Sequence, residues 1–273
     1  MVRVAAVQMD VHLGDPSRNM EKIIGYAENT EADLVVFPEC ANSGYAFDSR
    51  AEALTYAQTV PGPLTGGLAA AARKKKRCFA AGLLETQDAE LFNTAVFVTP
   101  DGKIQTYRKT HIPFLGVDRF VARGNELPVF DSPFGRIGLI ICYEWRFPET
   151  ARSLSLRGAD LLIGLSNWPV GAEIIPERLV PARAAENRVW VLSANRVGTE
   201  RGIHYIGRST VIDPGGNTVA ELKDDEGILT AVIDPAQSRT KRIVKKPGEY
   251  EIGLFEDRRP ELYTGIVAEV EDA

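Results

Sequence analysis

Arg136-Ile137-Gly138-Leu139-Ile140-Ile141-Cys142-Tyr143-Glu144-Trp145-Arg146-Phe147-Pro148-Glu149 is the stretch on which the fold turns. A run of aliphatic, largely β-branched residues leads into Cys142, and Pro148-Glu149 opens a helical stretch. The pattern predicts a strand, a sharp turn and a helix start, with a thiol at the turn. A helix N-terminus carries partial positive charge and free N–H groups, which favour a thiolate and can hold an oxyanion. The position therefore suits a nucleophile. A buried structural cysteine is the alternative that this segment alone leaves open.

Working outward, two other segments have matching chemistry. Glu39 ends the apolar run Ala32-Asp33-Leu34-Val35-Val36-Phe37-Pro38-Glu39, and Lys109 lies in Tyr107-Arg108-Lys109-Thr110-His111-Ile112-Pro113, after a strand that follows the Asp101-Gly102 turn. Each taken singly reads as a solvated surface charge. Taken with Cys142 they form a set: a carboxylate can act as base toward a thiol, and an ammonium can stabilise a thiolate and a developing oxyanion.

In chain order, Phe37-Pro38-Glu39, Tyr107-Arg108-Lys109-Thr110-His111 and Cys142-Tyr143-Glu144-Trp145-Arg146-Phe147-Pro148-Glu149 resemble the Glu, Lys and Cys motifs of the nitrilase superfamily of carbon–nitrogen hydrolases. The resemblance runs from Val4-Ala5-Ala6-Val7-Gln8-Met9 to Leu254-Phe255-Glu256-Asp257-Arg258-Arg259-Pro260-Glu261-Leu262-Tyr263. It implies an α/β fold of four layers, α-β-β-α, a Glu39-Lys109-Cys142 triad, and at least a homodimer. Many members of the family carry a second glutamate in the loop after the lysine. Here that loop reads Phe114-Leu115-Gly116-Val117-Asp118-Arg119-Phe120, so Asp118 is the acid nearest that role, with a surface-loop aspartate as the alternative. The backbone N–H of Tyr143 is the expected second oxyanion donor. Tyr45, Tyr143, Glu144, Asn167 and Trp168 are expected around the substrate. Trp168 is also ordinary core material, and Glu144 could equally pair with Arg146.

Composition sets outer limits. The 273 residues could form one large domain or two small ones, and a formal net charge of −5 argues against general affinity for nucleic acid or anionic membrane. The basic run Arg73-Lys74-Lys75-Lys76-Arg77 ends an Ala-rich helical stretch, where cations suit the C-terminal dipole. Three cysteines are no disulfide framework, and the chain shows neither a signal-peptide pattern nor an apolar run long enough to span a bilayer. A reducing, cytoplasmic setting is the expectation.

Along the chain, strands are expected at 2–9, 34–37, 78–84, 94–98, 103–107, 161–165, 189–194, 209–212, 218–222 and 228–233. Helices are expected at about 16–29, 64–75, 148–157 and 173–187. The similar runs Ala32-Asp33-Leu34-Val35-Val36 and Gly158-Ala159-Asp160-Leu161-Leu162-Ile163 suggest two similar halves facing one another across a double sheet. No linker separates them, so a single domain over 1–273 is expected. Residues 240–273 form a C-terminal tail that the resemblance places at a subunit interface.

Rival chemistries fit less well. A Cys-His enzyme would have to use His111, whose segment Lys109 already explains. Gly164-Leu165-Ser166-Asn167-Trp168 lacks the second glycine of a serine-nucleophile elbow. Clustered Cys/His metal ligands, a Walker loop and a Gly-x-Gly-x-x-Gly motif are all lacking, so no cofactor and no metal are expected. The reading is a hydrolase that cleaves a small linear amide through a Cys142 thioester. N-carbamoyl-amine hydrolase and nitrilase are the alternatives within the family, and a non-catalytic scaffold is the alternative outside it.

Overall fold

Alternation within the strands sorts the apolar side chains into layers. The computed structural model describes residues 1–268. The chain runs β1 (Val2–Gln8), α1 (Pro16–Asn29), β2 (Leu34–Val36), α2 (Arg50–Tyr56), α3 (Pro63–Lys75), β3 (Cys78–Gln87), β4 (Glu90–Val98), β5 (Ile104–Arg108), β6 (Val129–Ser132), β7 (Gly135–Ile141), α4 (Pro148–Leu156), β8 (Leu161–Ser166), α5 (Val180–Asn187), β9 (Trp190–Asn195), a ribbon of β10 (Thr199–Glu200) and β11 (Ile203–His204), then β12 (Thr210–Ile212), β13 (Thr218–Glu221) and β14 (Gly227–Ile233). One six-stranded sheet has the order β14-β1-β2-β3-β4-β5, the other β13-β12-β9-β8-β7-β6. In each, parallel central strands (β1, β2, β3; β7, β8, β9) are flanked by antiparallel ones.

Val4, Ala6 and Val36 of the first sheet meet Leu139, Ile141, Ile163 and Leu165 of the second in a shared core. The opposite faces carry the helices. Ala5, Val7 and Val35 pack with Ile23 and Ala27 of α1 and Leu64 and Leu68 of α3, while Ile140 and Leu162 pack with Ala151 and Leu154 of α4 and Val180 and Ala184 of α5. This is the four-layer α-β-β-α arrangement. Strands buried on both faces explain the near-continuous apolar runs in β2, β7 and β8.

Local sequence explains most element ends. Asp15 caps α1, its side chain accepting from the Arg18 N–H at 3.1 Å, with Pro16 at the first helical position. The basic run ends α3, with Arg73, Lys74 and Lys75 in its last turn, and there Lys74 pairs with Glu28 at 2.7 Å and Arg77 with Glu31 at 3.6 Å. The helix expected over 173–187 differs: α5 is preceded by a wider π turn, Ile175–Leu179, closed by the Val180 N–H on the Ile175 carbonyl. Pro181 has no N–H to give the Glu177 carbonyl, so the regular i to i−4 ladder is interrupted there. The short α2, capped by Ser49, was not expected from the sequence pattern, and neither was the edge strand β6.

By its contacts the chain divides into Met1–Arg239 and Thr240–Ala273. Within the second unit, β15 (Arg242–Lys246) pairs with β16 (Tyr250–Gly253). The Pro247-Gly248 break is the hairpin's turn, with Gly248 in the left-handed region at φ +75°. Residues 269–273 of the expected tail lie outside the described residues. Among the described residues, no helix is long and apolar enough to cross a membrane.

Candidate active site

Three strand ends and one loop carry the chemistry. Glu39 leaves β2 through Phe37-Pro38, a segment held to β3 by Phe37 N–H on Ala80 O at 2.8 Å, Gly82 N–H on Pro38 O at 3.0 Å and Ala41 N–H on Gly82 O at 2.9 Å. A Cβ at Gly82 would stand 2.5 Å from the Glu39 Cα, so only glycine admits this approach. Lys109 follows β5, its N–H bonded to the Asn93 carbonyl of β4 at 2.8 Å. Asp118 lies in a 3-10 turn, Gly116–Phe120, in the loop after Lys109. Cys142 follows β7 with φ +49° and starts the 3-10 turn Cys142–Arg146, ahead of α4. A left-handed residue other than glycine at a strand-to-helix elbow is strained, and such strain gathers at functional sites.

The side chains of Glu39, Lys109 and Asp118 converge in the interior. Lys109 Nζ donates to Glu39 Oε1 at 2.8 Å and to Asp118 Oδ2 at 2.5 Å, with both ion pairs fully buried. Asn93, which the sequence reading missed, bridges the same carboxylates: its Nδ2 donates to Glu39 Oε1 at 2.6 Å and to Asp118 Oδ1 at 2.8 Å. Its only sequence signal was a polar residue amid the apolar strand Leu91-Phe92-Asn93-Thr94-Ala95-Val96. Tyr45 adds a hydroxyl bond to Asp118 Oδ2 at 2.9 Å. A Cβ at Gly116 would strike the Tyr45 ring, at 2.1 Å. Tyr45 thus orients Asp118 from beneath the loop.

Glu39 has one oxygen left over. Oε2 is buried with no hydrogen-bond partner. Burial raises the Glu39 carboxyl above its ordinary range; Lys109 pulls it down and Asp118 pushes it up. Burial would by itself depress Lys109, yet Asp118 and Glu39 outweigh it and hold the ammonium well above the usual lysine value. Burial, then the charge of Glu39, push the Cys142 thiol well above the usual cysteine value, against Lys109 and a hydrogen bond from the Asn167 backbone. Burial and the Glu39 charge thus oppose the bias toward thiolate that the helix start and Lys109 suggest. Cys142 is partly exposed, whereas Cys40 and Cys78 are buried, and burial pushes Cys78 up to about 12.

Glu144 has a different place from the one expected. It is fully buried and forms no pair with Arg146. Its Oε2 accepts from the Ile141 N–H at 2.8 Å, and its Oε1 accepts from the Thr110 N–H at 2.9 Å, the Thr110 hydroxyl at 2.7 Å and the Tyr107 hydroxyl. Burial works against its charge, but these bonds and His111 hold it below the usual carboxylate range. It clamps the Cys142 elbow to the strand end that bears Lys109. Trp168 is fully buried in the helix-facing core with Trp145, Ile175 and Val180, a cluster against which Cys142 also packs. Tyr143 is half-buried, edge-on to Phe147 at 5.2 Å. Arg183 braces the elbow from α5 through the Trp145 carbonyl at 3.3 Å.

A family model for carbon-nitrogen hydrolases matches residues 3–243. The chain is similar to a nitrilase of Pyrococcus abyssi, 37% identical over 96% of this chain and 99% of that one. It is also similar to an omega-amidase of Bos taurus, 30% identical over 96% of each. Its fold resembles that of an amidase from Nesterenkonia sp. AN1, with a TM-score of 0.83 over 98% of this chain and 100% of that one, at 24% identity.

Proposed function

The chain belongs to the carbon-nitrogen hydrolase family, and on that premise we propose that it hydrolyses small linear amides through a thioester on Cys142, releasing ammonia and a carboxylic acid. One observation carries this reading: a buried ammonium, Lys109, held between Glu39 and Asp118 at 2.8 and 2.5 Å, in a chain whose Cys142 sits at the strand-to-helix elbow with φ +49°.

In the proposed reaction the Cys142 sulfur attacks the amide carbon as its proton passes to Glu39. A base of raised pKa is better matched to neutral pH than an ordinary carboxylate. Lys109 Nζ and the Tyr143 N–H stabilise the oxyanion; donors of this kind are worth roughly 2.7–4 kcal/mol each. The C–N bond then breaks, and Glu39 passes its proton to the leaving amine. Water attacks the thioester, giving its proton to Glu39. The C–S bond breaks, Glu39 returns its proton to the leaving sulfur, and the acid departs. Asp118 keeps Lys109 charged and placed.

The test is ammonia release from a panel of aliphatic amides, ω-amides, N-carbamoyl amines and nitriles. Turnover of amides above the other classes is expected; turnover confined to N-carbamoyl amines or nitriles would refute the amidase reading. The same proposal takes the protein to be cytoplasmic, supported by its three free cysteines, and to be a homodimer with residues 240–273 at the interface. The exposed apolar Tyr250 and Leu262 support the latter. Light scattering that finds a monomer would dismiss the dimer, and fractionation that finds the protein outside the cytoplasm would dismiss the location.

A further inference from the structure

Asn167 is a buried amide with nothing to hold. It is 2% exposed, and neither its Oδ1 nor its Nδ2 has a hydrogen-bond partner. Three other buried asparagines are satisfied: Asn42 Oδ1 accepts from the Leu84 N–H at 2.8 Å, Asn195 Oδ1 accepts from the Trp168 N–H at 2.8 Å, and Asn93 bridges the carboxylates.

Its direction follows from strand alternation. In β8, Leu161, Ile163 and Leu165 face the core between the sheets, while Leu162 faces the helices. Asn167 continues the inter-sheet parity one residue past the strand, and Trp168, packed in the helix-facing core, fixes that parity. β7 and β8 run parallel with Ile141 opposite Leu165, so Asn167 leaves β8 next to Cys142 as it leaves β7. The buried, unpaired carboxamide therefore belongs to the residue that leaves β8 beside the nucleophile. A buried polar group left unpaired is destabilising, and pairing it with a ligand turns that penalty into selectivity.

We propose that Asn167 selects amides whose acyl group carries an uncharged hydrogen-bonding substituent, such as a hydroxyl or carbonyl, on the first or second carbon from the scissile carbonyl. A neutral carboxamide cannot compensate for stripping water from a charged substituent, and the two carboxylates around Lys109 further oppose an anionic one. This inference rests on the amidase reading of Cys142.

The test compares kcat/KM for 3-hydroxypropionamide and butyramide, which differ by a hydroxyl in place of a methyl, in the wild-type protein, Asn167→Leu and Asn167→Ala. Circular dichroism and stoichiometric iodoacetamide labelling of Cys142 establish which variants are folded. The wild type is expected to prefer the hydroxy amide by roughly 10–100-fold, and each folded variant to lose that preference. No preference in the wild type, or the same preference in a folded variant, overturns the inference while leaving the amidase reading intact. A wild-type protein that turns over neither amide and forms no acyl adduct on Cys142 overturns both.

Discussion

Asn93→Ala tests how the buried charges are balanced. The Asn93 amide gives one N–H to Glu39 Oε1 at 2.6 Å and one to Asp118 Oδ1 at 2.8 Å. Burial dominates the raised pKa of Glu39, and the Asn93 bond is among the forces that restrain the rise. A hydrogen bond to a charged group contributes about 1.5–3 kcal/mol. At 1.36 kcal/mol per pKa unit, its loss should lift Glu39 by roughly 1–2 units. The sign is fixed: the N–H favours the carboxylate, so removing it favours the acid, and activity on the acid side should fade at a higher pH. The assay is the pH profile of kcat/KM, checked against the pH dependence of Cys142 alkylation by iodoacetamide. Both acid limbs should move up together. A folded Asn93→Ala protein whose acid limb stays in place would refute this account of the charge balance and of Glu39 as base.

Two further perturbations separate positioning from chemistry. Asp118→Asn removes a charge that holds Lys109 protonated and should lower kcat/KM by about 10²-fold, while iodoacetamide still labels Cys142. Asp118→Glu should be milder, and an unchanged Asp118→Asn enzyme would make the aspartate a bystander. Glu144→Gln turns an acceptor for the Ile141 and Thr110 N–H groups into a partial donor. It should lower stability in urea by roughly 2–4 kcal/mol and reduce kcat more than it changes KM; unaltered unfolding midpoint and kcat would show that the clamp is dispensable.

Some of the site was legible in the sequence because its parts are local. Cys142 is announced by an apolar strand and a proline-opened helix within fourteen residues. Glu39 and Lys109 are announced by the ends of strand-like runs and by the family's motifs. The layered fold follows from apolar runs buried on both faces. What stayed hidden depends on partners far apart in the chain. Asn93 meets Glu39 across 54 residues and Asp118 across 25. Glu144 Oε1 takes its bonds from Thr110 and Tyr107, 34 and 37 residues earlier, so the long-range half of the clamp left no local trace. The forces opposing a Cys142 thiolate, burial and the Glu39 charge, were equally hidden, since Glu39 lies far from Cys142 in the chain.

The central claim is that amide cleavage passes through a covalent bond to one sulfur. Acid-quenching the wild-type protein during turnover of a small aliphatic amide, followed by intact-protein and peptide mass spectrometry, measures this directly. The account predicts the mass of the acyl group on the peptide bearing Cys142, lost on treatment with hydroxylamine and absent from Cys142→Ala, which should be folded and inactive. Turnover at wild-type rates by folded Cys142→Ala, or an acyl group found on Cys40 or Cys78 instead, would contradict it.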